Sequence, residues 1–310
     1  MVFANPESVD LVEVGPRDGF QSEPRVLSVL EKKDVILGLL EAGLREIQVA
    51  SFVNPHRVPQ LADAPELLAA LPSPEGVTYI ALTLNAKGVE RALQSPAHRI
   101  EVSLSLSDAH SRRNTGMSRE RALAEAEEMV ALCRGMDRPA RISLQCAFGC
   151  FLEGAVPAGR VHEAVSRLAA NWADEVVLAD TPGLADPRAV EERLAVLREA
   201  APHVRPALHL HDTRGLGQAN VLRALQLGVR RFDTAVGGMG GCPFLPGAAG
   251  NIPTEDTAYL CHRMGANTRL DLQRLARLTS DLEAMYAKTF PAKIRSETMS
   301  REGQAGSAVC

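Results

Sequence analysis

KKDVILGLLEAGLREIQVAS, residues 32–51, carries the reading of the fold. In its first part, Val35, Ile36, Leu39 and Leu40 recur three and four apart, the spacing of one face of an amphipathic helix. Gly43 follows, as glycine commonly does at a helix C-terminus. The chain then enters EIQVAS (46–51), a short β-rich run. One such helix and strand cannot bury its own apolar face, but the unit repeats. Strands are predicted at LVEVG (11–15), EIQVAS (46–51), TYIALT (78–83), RIEVSLS (99–105), RISLQCA (141–147), EVVLAD (175–180), ALHLHD (207–212) and RFDTAVG (231–237). Helical stretches such as RALAEAEEMVALC and GQANVLRALQLGV lie between them, the latter reaching Gly228 at its end.

Strands alternating with helices must pair in parallel, because each crossover returns the chain to the same end. Eight such units close a barrel, and the absence of a Gly-x-Gly-x-x-Gly or phosphate-loop pattern argues against an open doubly wound sheet. The predicted fold is an α/β, (β/α)₈ TIM barrel. After Gly265 the pattern changes to LDLQRLARLTSDLEAMYAKTF, one extra C-terminal helix. No linker divides the chain, so residues 1–290 are expected to form a single domain. The polar, small-residue-rich end, 291–310, is expected to be a flexible tail.

Composition narrows the function. The chain of 310 residues has a formal net charge of −4 and 4% aromatic residues, which leaves neither a basic surface nor stacking platforms for nucleic acid. No run of 18 apolar residues predicts a membrane span, and MVFANPESVD is not a secretory leader. The six cysteines, Cys133, Cys146, Cys150, Cys242, Cys261 and Cys310, lack CxxC spacing, so a reducing, cytoplasmic setting is expected.

In this fold the chemistry belongs at the C-terminal ends of the strands. The first strand runs into Gly15-Pro16-Arg17-Asp18-Gly19-Phe20-Gln21, and the seventh carries His209-Leu210-His211-Asp212. Two histidines two apart on a strand share a face, here the barrel interior. They are either satisfied core histidines or metal ligands, joined in the second case by Asp18. Mg, Mn, Co or Zn would suit such a mixed N/O set. Arg17 either pairs with Asp18 or turns its fixed charge to a developing oxyanion. The eighth strand opens into GGMGGCP (237–243), with Asn251 beyond. Its glycines permit a lid, and Cys242 on it either transfers a proton or packs inertly beneath.

Four segments give the chain a resemblance: VEVGPRDGFQSE, SFVNPHRVPQLAD (51–63), LHLHDTRGLGQANVLRAL (208–225) and GGMGGCPFLPGAAGNIPTED (237–256). Together they resemble the 3-hydroxy-3-methylglutaryl-CoA lyases of the DRE-TIM metallolyase superfamily, over roughly residues 9–290. The resemblance implies a metal-dependent acyl-CoA lyase that cleaves its substrate to acetyl-CoA and acetoacetate. It implies that Asp18, His209, His211 and Asn251 hold a divalent cation, usually Mg or Mn. Arg17 would then stabilise the thioester enolate and Cys242 would move a proton. Asp180 would support them, and Gln21 and Gln48 would face the substrate. It also implies a homodimer. The chain departs from the family pattern at Gln48, where an acidic residue is usual, and at Phe20, commonly Leu. SLSLSD (103–108) likewise replaces a more Ala/Glu-flavoured loop. A related 3-hydroxyacyl-CoA diacid such as citramalyl-CoA is therefore the alternative substrate, and a metal-binding paralogue without turnover is the further one. Claisen-type synthases usually carry a further C-terminal domain and lack this lid. Biotin-dependent carboxyltransferases need a strand lysine, and none of the predicted strands has one.

Overall fold

A computed structural model of the chain describes residues 7–169, 173–241 and 250–295. Cys242, Cys310 and the expected tail from residue 296 onward lie outside the described residues. Eight parallel strands form a closed barrel in chain order, with the last paired to the first. They are β1 (Asp10–Glu13), β2 (Glu46–Ser51), β3 (Thr78–Thr83), β4 (Arg99–Ser105), β5 (Ala140–Gln145), β6 (Glu175–Ala179), β7 (Arg205–His209) and β8 (Arg231–Thr234). Around them run α1 (Val29–Glu41), α2 (Ala64–Ala70), α3 (Ala86–Leu93), α4 (Asp108–Thr115), α5 (Arg119–Gly135), α6 (Ala158–Leu168), α7 (Pro187–Ala200), α8 (Gly217–Gln226) and α9 (Thr254–Arg263). The extra C-terminal helix is α10 (Leu272–Tyr286), packed on α1 and α9.

Local chemistry sets these boundaries. Ser28 starts α1 with a capping box: its hydroxyl accepts from the Glu31 amide, and the Glu31 carboxylate accepts from the Ser28 amide at 2.8 Å. At the other end Gly43 takes φ 104°, a conformation that a side chain would strain. The predicted strands at 46–51, 78–83 and 99–105 match those observed. The others end earlier than the apolar runs, at Glu13, Gln145, Ala179, His209 and Thr234. Beyond those points the backbone leaves the ladder to build the loops of the mouth, so apolar character alone overextends the strands.

Each strand has two faces. Ile100, Val102, Leu104, Ile142, Leu144, Val176 and Leu178 turn outward into one continuous apolar core with helix residues such as Val89, Leu123, Val165 and Leu194. The barrel interior is different, being ionic. Arg141 of β5 is fully buried and reaches across the barrel to Asp233 of β8 with two bonds, at 3.0 and 2.6 Å. Its Nε donates to Glu101 at 2.6 Å, and Nη1 to Glu175 at 3.2 Å. Arg231 adds a contact to Glu175 at 2.7 Å and a pair with Glu46, while Arg99 pairs with Asp174 and Glu175. Arg141, Arg99, Arg231, Glu101, Glu175 and Asp233 stay buried only because each charge faces an opposite one. The three carboxylates around it hold the Arg141 guanidinium firmly protonated, more than offsetting its burial.

Candidate active site

The mouth is built where β1 and β7 run out. Past Val14 the chain winds into a wide helical turn, Gly15–Gly19, in which the Arg17 and Asp18 amides both donate to the Val14 carbonyl at 3.0 and 2.7 Å. The turn delivers Arg17 and Asp18 side by side, ion-paired and nearly buried. His209 is the last residue of β7, and His211, two further on, forms an isolated bridge with Asn251. The extended backbone between them keeps both imidazoles on one side. Their Nε2 atoms lie 3.2 Å apart, and the Asp18 Oδ2 atom lies 3.9 Å from one and 3.8 Å from the other.

These three residues form a cluster able to hold a metal ion. The donor chemistry fits. The Asn251 Oδ1 and His211 Nδ1 atoms are buried without a hydrogen-bond partner, although Asn251 donates to Asp18 at 2.7 Å and to Met239 at 3.0 Å. Buried polar atoms are rarely left so, and a cation that draws Oδ1 would satisfy one of them. Burial, then the neighbouring His209, pushes the His211 imidazole down to about 4, so it is neutral and available as a ligand at pH 7. Burial alone would raise the Asp18 carboxyl, but Arg17 and the two imidazoles outweigh it and hold it at about 2. Gly240 presses on the cluster from above at φ 105°. A Cβ there would fall 2.6 Å from Asn251 Nδ2.

One cavity opens over the cluster, and a larger groove shares part of its lining. The inner one, about 150 Å³, is lined by Arg17, Asp18, Gln21, His209 and His211 with a polar far wall of Ser103, Ser143 and Gln145. The outer groove, about 1240 Å³, shares Arg17 and Gln21 and carries Arg57, Arg113 and Lys288. Gln21 lines both and donates to Asp18 at 2.8 Å. The structure thus brings together Arg17, Asp18, Gln21, His209, His211 and Asn251.

Two expected site residues stand elsewhere. Gln48 is fully buried and lines neither cavity: it accepts from Arg17 Nε and donates to Glu101 at 2.6 Å, so it sits against Arg17. Asp180 is also fully buried, and its two oxygens accept from the Leu184 and Ala185 amides at 2.8 and 2.9 Å. It braces the turn after β6, and burial raises its carboxyl to about 6. Sequence reasoning missed Glu101, Asp233 and Ser143, though it had singled out Ser103. For Glu101 a partial signal was there in β4, where Arg99, Glu101, Ser103 and Ser105 alternate with Ile100, Val102 and Leu104. It also missed Glu13 and Glu255 behind the glycine-rich segment. Glu13 accepts from the Gly15 and Val236 amides at 2.8 and 2.9 Å, and Glu255 from the Gly237 amide at 3.0 Å and from the Thr279 hydroxyl.

A parallel eight-stranded barrel with a buried carboxylate–imidazole cluster at the C-terminal ends of its strands defines a class, the barrel enzymes equipped for a metal ion. The sequence model described as HMGL-like matches residues 8–282. The cytoplasmic 3-hydroxy-3-methylglutaryl-CoA lyase of Mus musculus is 37% identical over 289 residues, covering 93% of this chain and 84% of the relative. The crystal structure of the Bacillus subtilis HMG-CoA lyase superposes with a TM-score of 0.91 at 35% identity, covering 95% of this chain and 99% of that one. An Acinetobacter baumannii HMG-CoA lyase in complex with coenzyme A and 3-methylmalate gives 0.87 at 35% identity, over 93% and 94%. The chain belongs to the HMG-CoA lyase family and is a carbon–carbon lyase.

Proposed function

We propose that this protein cleaves 3-hydroxy-3-methylglutaryl-CoA to acetyl-CoA and acetoacetate with a divalent cation, Mg or Mn in first place. The observation that carries the reading is the buried Asp18–His209–His211 cluster, with the unpartnered Asn251 Oδ1 beside it, lining a small cavity that shares Arg17 and Gln21 with a groove carrying cations. Asp18, His209, His211 and Asn251 would hold the ion. When bound it supplies Lewis acidity toward the substrate's hydroxyl and carboxylate oxygens.

The chain's own groups do the rest. Arg17, with its fixed charge beside the cluster, faces the thioester oxygen and stabilises the enolate left when the C2–C3 bond breaks and its electron pair moves toward C2. As C3 becomes the ketone of acetoacetate its hydroxyl loses a proton, and Cys242 gives C2 the proton it gains, a role that rests on the sequence. Gln21 orients the acyl group where the two cavities meet. The groove, with Arg57, Arg113 and Lys288, seats the phosphate-bearing part of coenzyme A, in line with the coenzyme A complex of the Acinetobacter relative. Gln48 acts beneath Arg17 and not on the substrate. A homodimer is the expected assembly and the cytoplasm the expected setting, the latter in keeping with the cytoplasmic mouse relative.

The test is acetyl-CoA release from 3-hydroxy-3-methylglutaryl-CoA and from citramalyl-CoA, using metal-free and Mg- or Mn-loaded protein. Metal-dependent release from the first, lost in His209→Ala and Cys242→Ala, is the expected result. Release from citramalyl-CoA alone would keep the mechanism and change the substrate. Metal binding without turnover of either would overturn the reading.

A further inference from the structure

Arg17 and His209 stand on opposite sides of the cluster, yet the same buried side chain lies behind both. From Arg141 Nε the contacts run to Glu101 Oε2 at 2.6 Å, from that oxygen to Gln48 Nε2 at 2.6 Å, and from Gln48 Oε1 to Arg17 Nε. From Arg141 Nη2 they run to Asp233 Oδ2 at 2.6 Å, and from that oxygen to His209 Nδ1 at 3.3 Å. Both arms then meet again at Asp18, which pairs with Arg17 and lies 3.9 Å from His209. Chemistry fixes the direction of each link. Arginine only donates and a carboxylate only accepts, so Gln48 must turn its oxygen to Arg17 and its amide nitrogen to Glu101. A glutamate at 48 would set two carboxylates against each other. On the other arm Asp233 accepts from Nδ1, which leaves the Nε2 lone pair of His209 aimed at the cluster.

We infer that Arg141 is a positioning residue for the reaction: one guanidinium, through Glu101–Gln48 and through Asp233, sets the orientation of both the oxyanion-facing Arg17 and the cluster imidazole of His209. It touches neither the substrate nor the ion, since it is fully buried and lines neither cavity. The inference rests on the proposed lyase reading for its kinetic half only. Its other half is readable from ion binding.

Arg141→Lys keeps the charge but loses the fork that reaches Glu101 and Asp233 together. In folded protein, kcat for acetyl-CoA release should fall about 10–100-fold at nearly constant KM, and calorimetric Mn²⁺ affinity should fall about tenfold, as for a lost outer-shell partner. Glu101→Ala cuts only the first arm, so kcat falls while Mn²⁺ affinity stays within about twofold. Combining Glu101→Ala with Gln48→Leu should cost little beyond either alone, because both act through one chain of contacts. Unchanged kcat and Mn²⁺ affinity in a folded Arg141→Lys protein would overturn the inference. Should that variant not fold, additive losses in the Glu101–Gln48 pair would overturn it. If the wild-type protein releases no acetyl-CoA, the lyase reading fails first, and the Mn²⁺ affinity of Arg141→Lys still decides the His209 arm.

Discussion

The two levels of the barrel interior are both polar and both buried, yet they are built to opposite rules. Around Arg141 every carboxylate meets a guanidinium: Glu101, Glu175 and Asp233 all lie within 3.2 Å of it. At the mouth, two imidazole nitrogens face each other at 3.2 Å and the Asn251 Oδ1 atom has no partner. A layer in which every carboxylate has a cation partner belongs to the architecture, since removing one member leaves an uncompensated charge. An undersaturated layer is a binding site, because its missing partner must come from outside. The contrast separates charge that is completed inside the fold from charge that needs a partner from outside.

Substitutions can break that contrast. The largest effect is expected from His211→Ala, which should lower acetyl-CoA release by about 10³-fold or more, because a lost ligand removes the several kcal/mol of Lewis-acid stabilisation. Its metal-free unfolding midpoint in urea should stay near that of the wild-type protein. A large drop in that midpoint would make His211 part of the scaffold and erase the distinction. Arg141→Leu should destabilise the metal-free protein by about 3–5 kcal/mol, because the buried Glu101 and Asp233 carboxylates lose their guanidinium while Glu175 keeps Arg231 and Arg99. A neutral result by the same denaturation would mean that the interior tolerates unpaired charge.

The smallest effect concerns the carboxylates behind the glycine-rich segment. Burial raises Glu13 to about 7 and Glu255 to about 8 from an ordinary value of 4.5. Each binds its proton more tightly in the folded chain, so its contribution to stability is full below pH 4.5 and is lost as pH rises through about 7 and 8. Glu255→Gln mimics the protonated form. Thermal unfolding from pH 5 to 8 should therefore fall less steeply for the variant than for the wild-type protein. Parallel slopes would show that Glu255 is ionised in the fold.

The barrel was legible in the sequence because its outer faces are aliphatic and its helices periodic, which suffices to count eight units. The cluster was legible because His209 and His211 interrupt an apolar run where the fold places chemistry. The ionic layer was not. A period of two along RIEVSLS separates two faces without saying which looks down the barrel axis. The partners Arg141 and Asp233 stand on strands far apart in the chain. The contacts of Gln48 were hidden for the same reason: its neighbours Arg17 and Glu101 come from β1's end and β4, and only the closed barrel puts it between them.

The ionic interior also bears on heat. Exposing apolar surface raises the heat capacity of a chain and exposing polar surface lowers it. Unfolding this barrel wets charged groups where an aliphatic interior would wet hydrocarbon, so its heat-capacity increment should be small for its length. Its stability curve is flattened accordingly. Because the hydration that buried ions forgo becomes less favourable on warming, the Arg141 layer should also lose less of its standing at elevated temperature than an oily interior of the same volume.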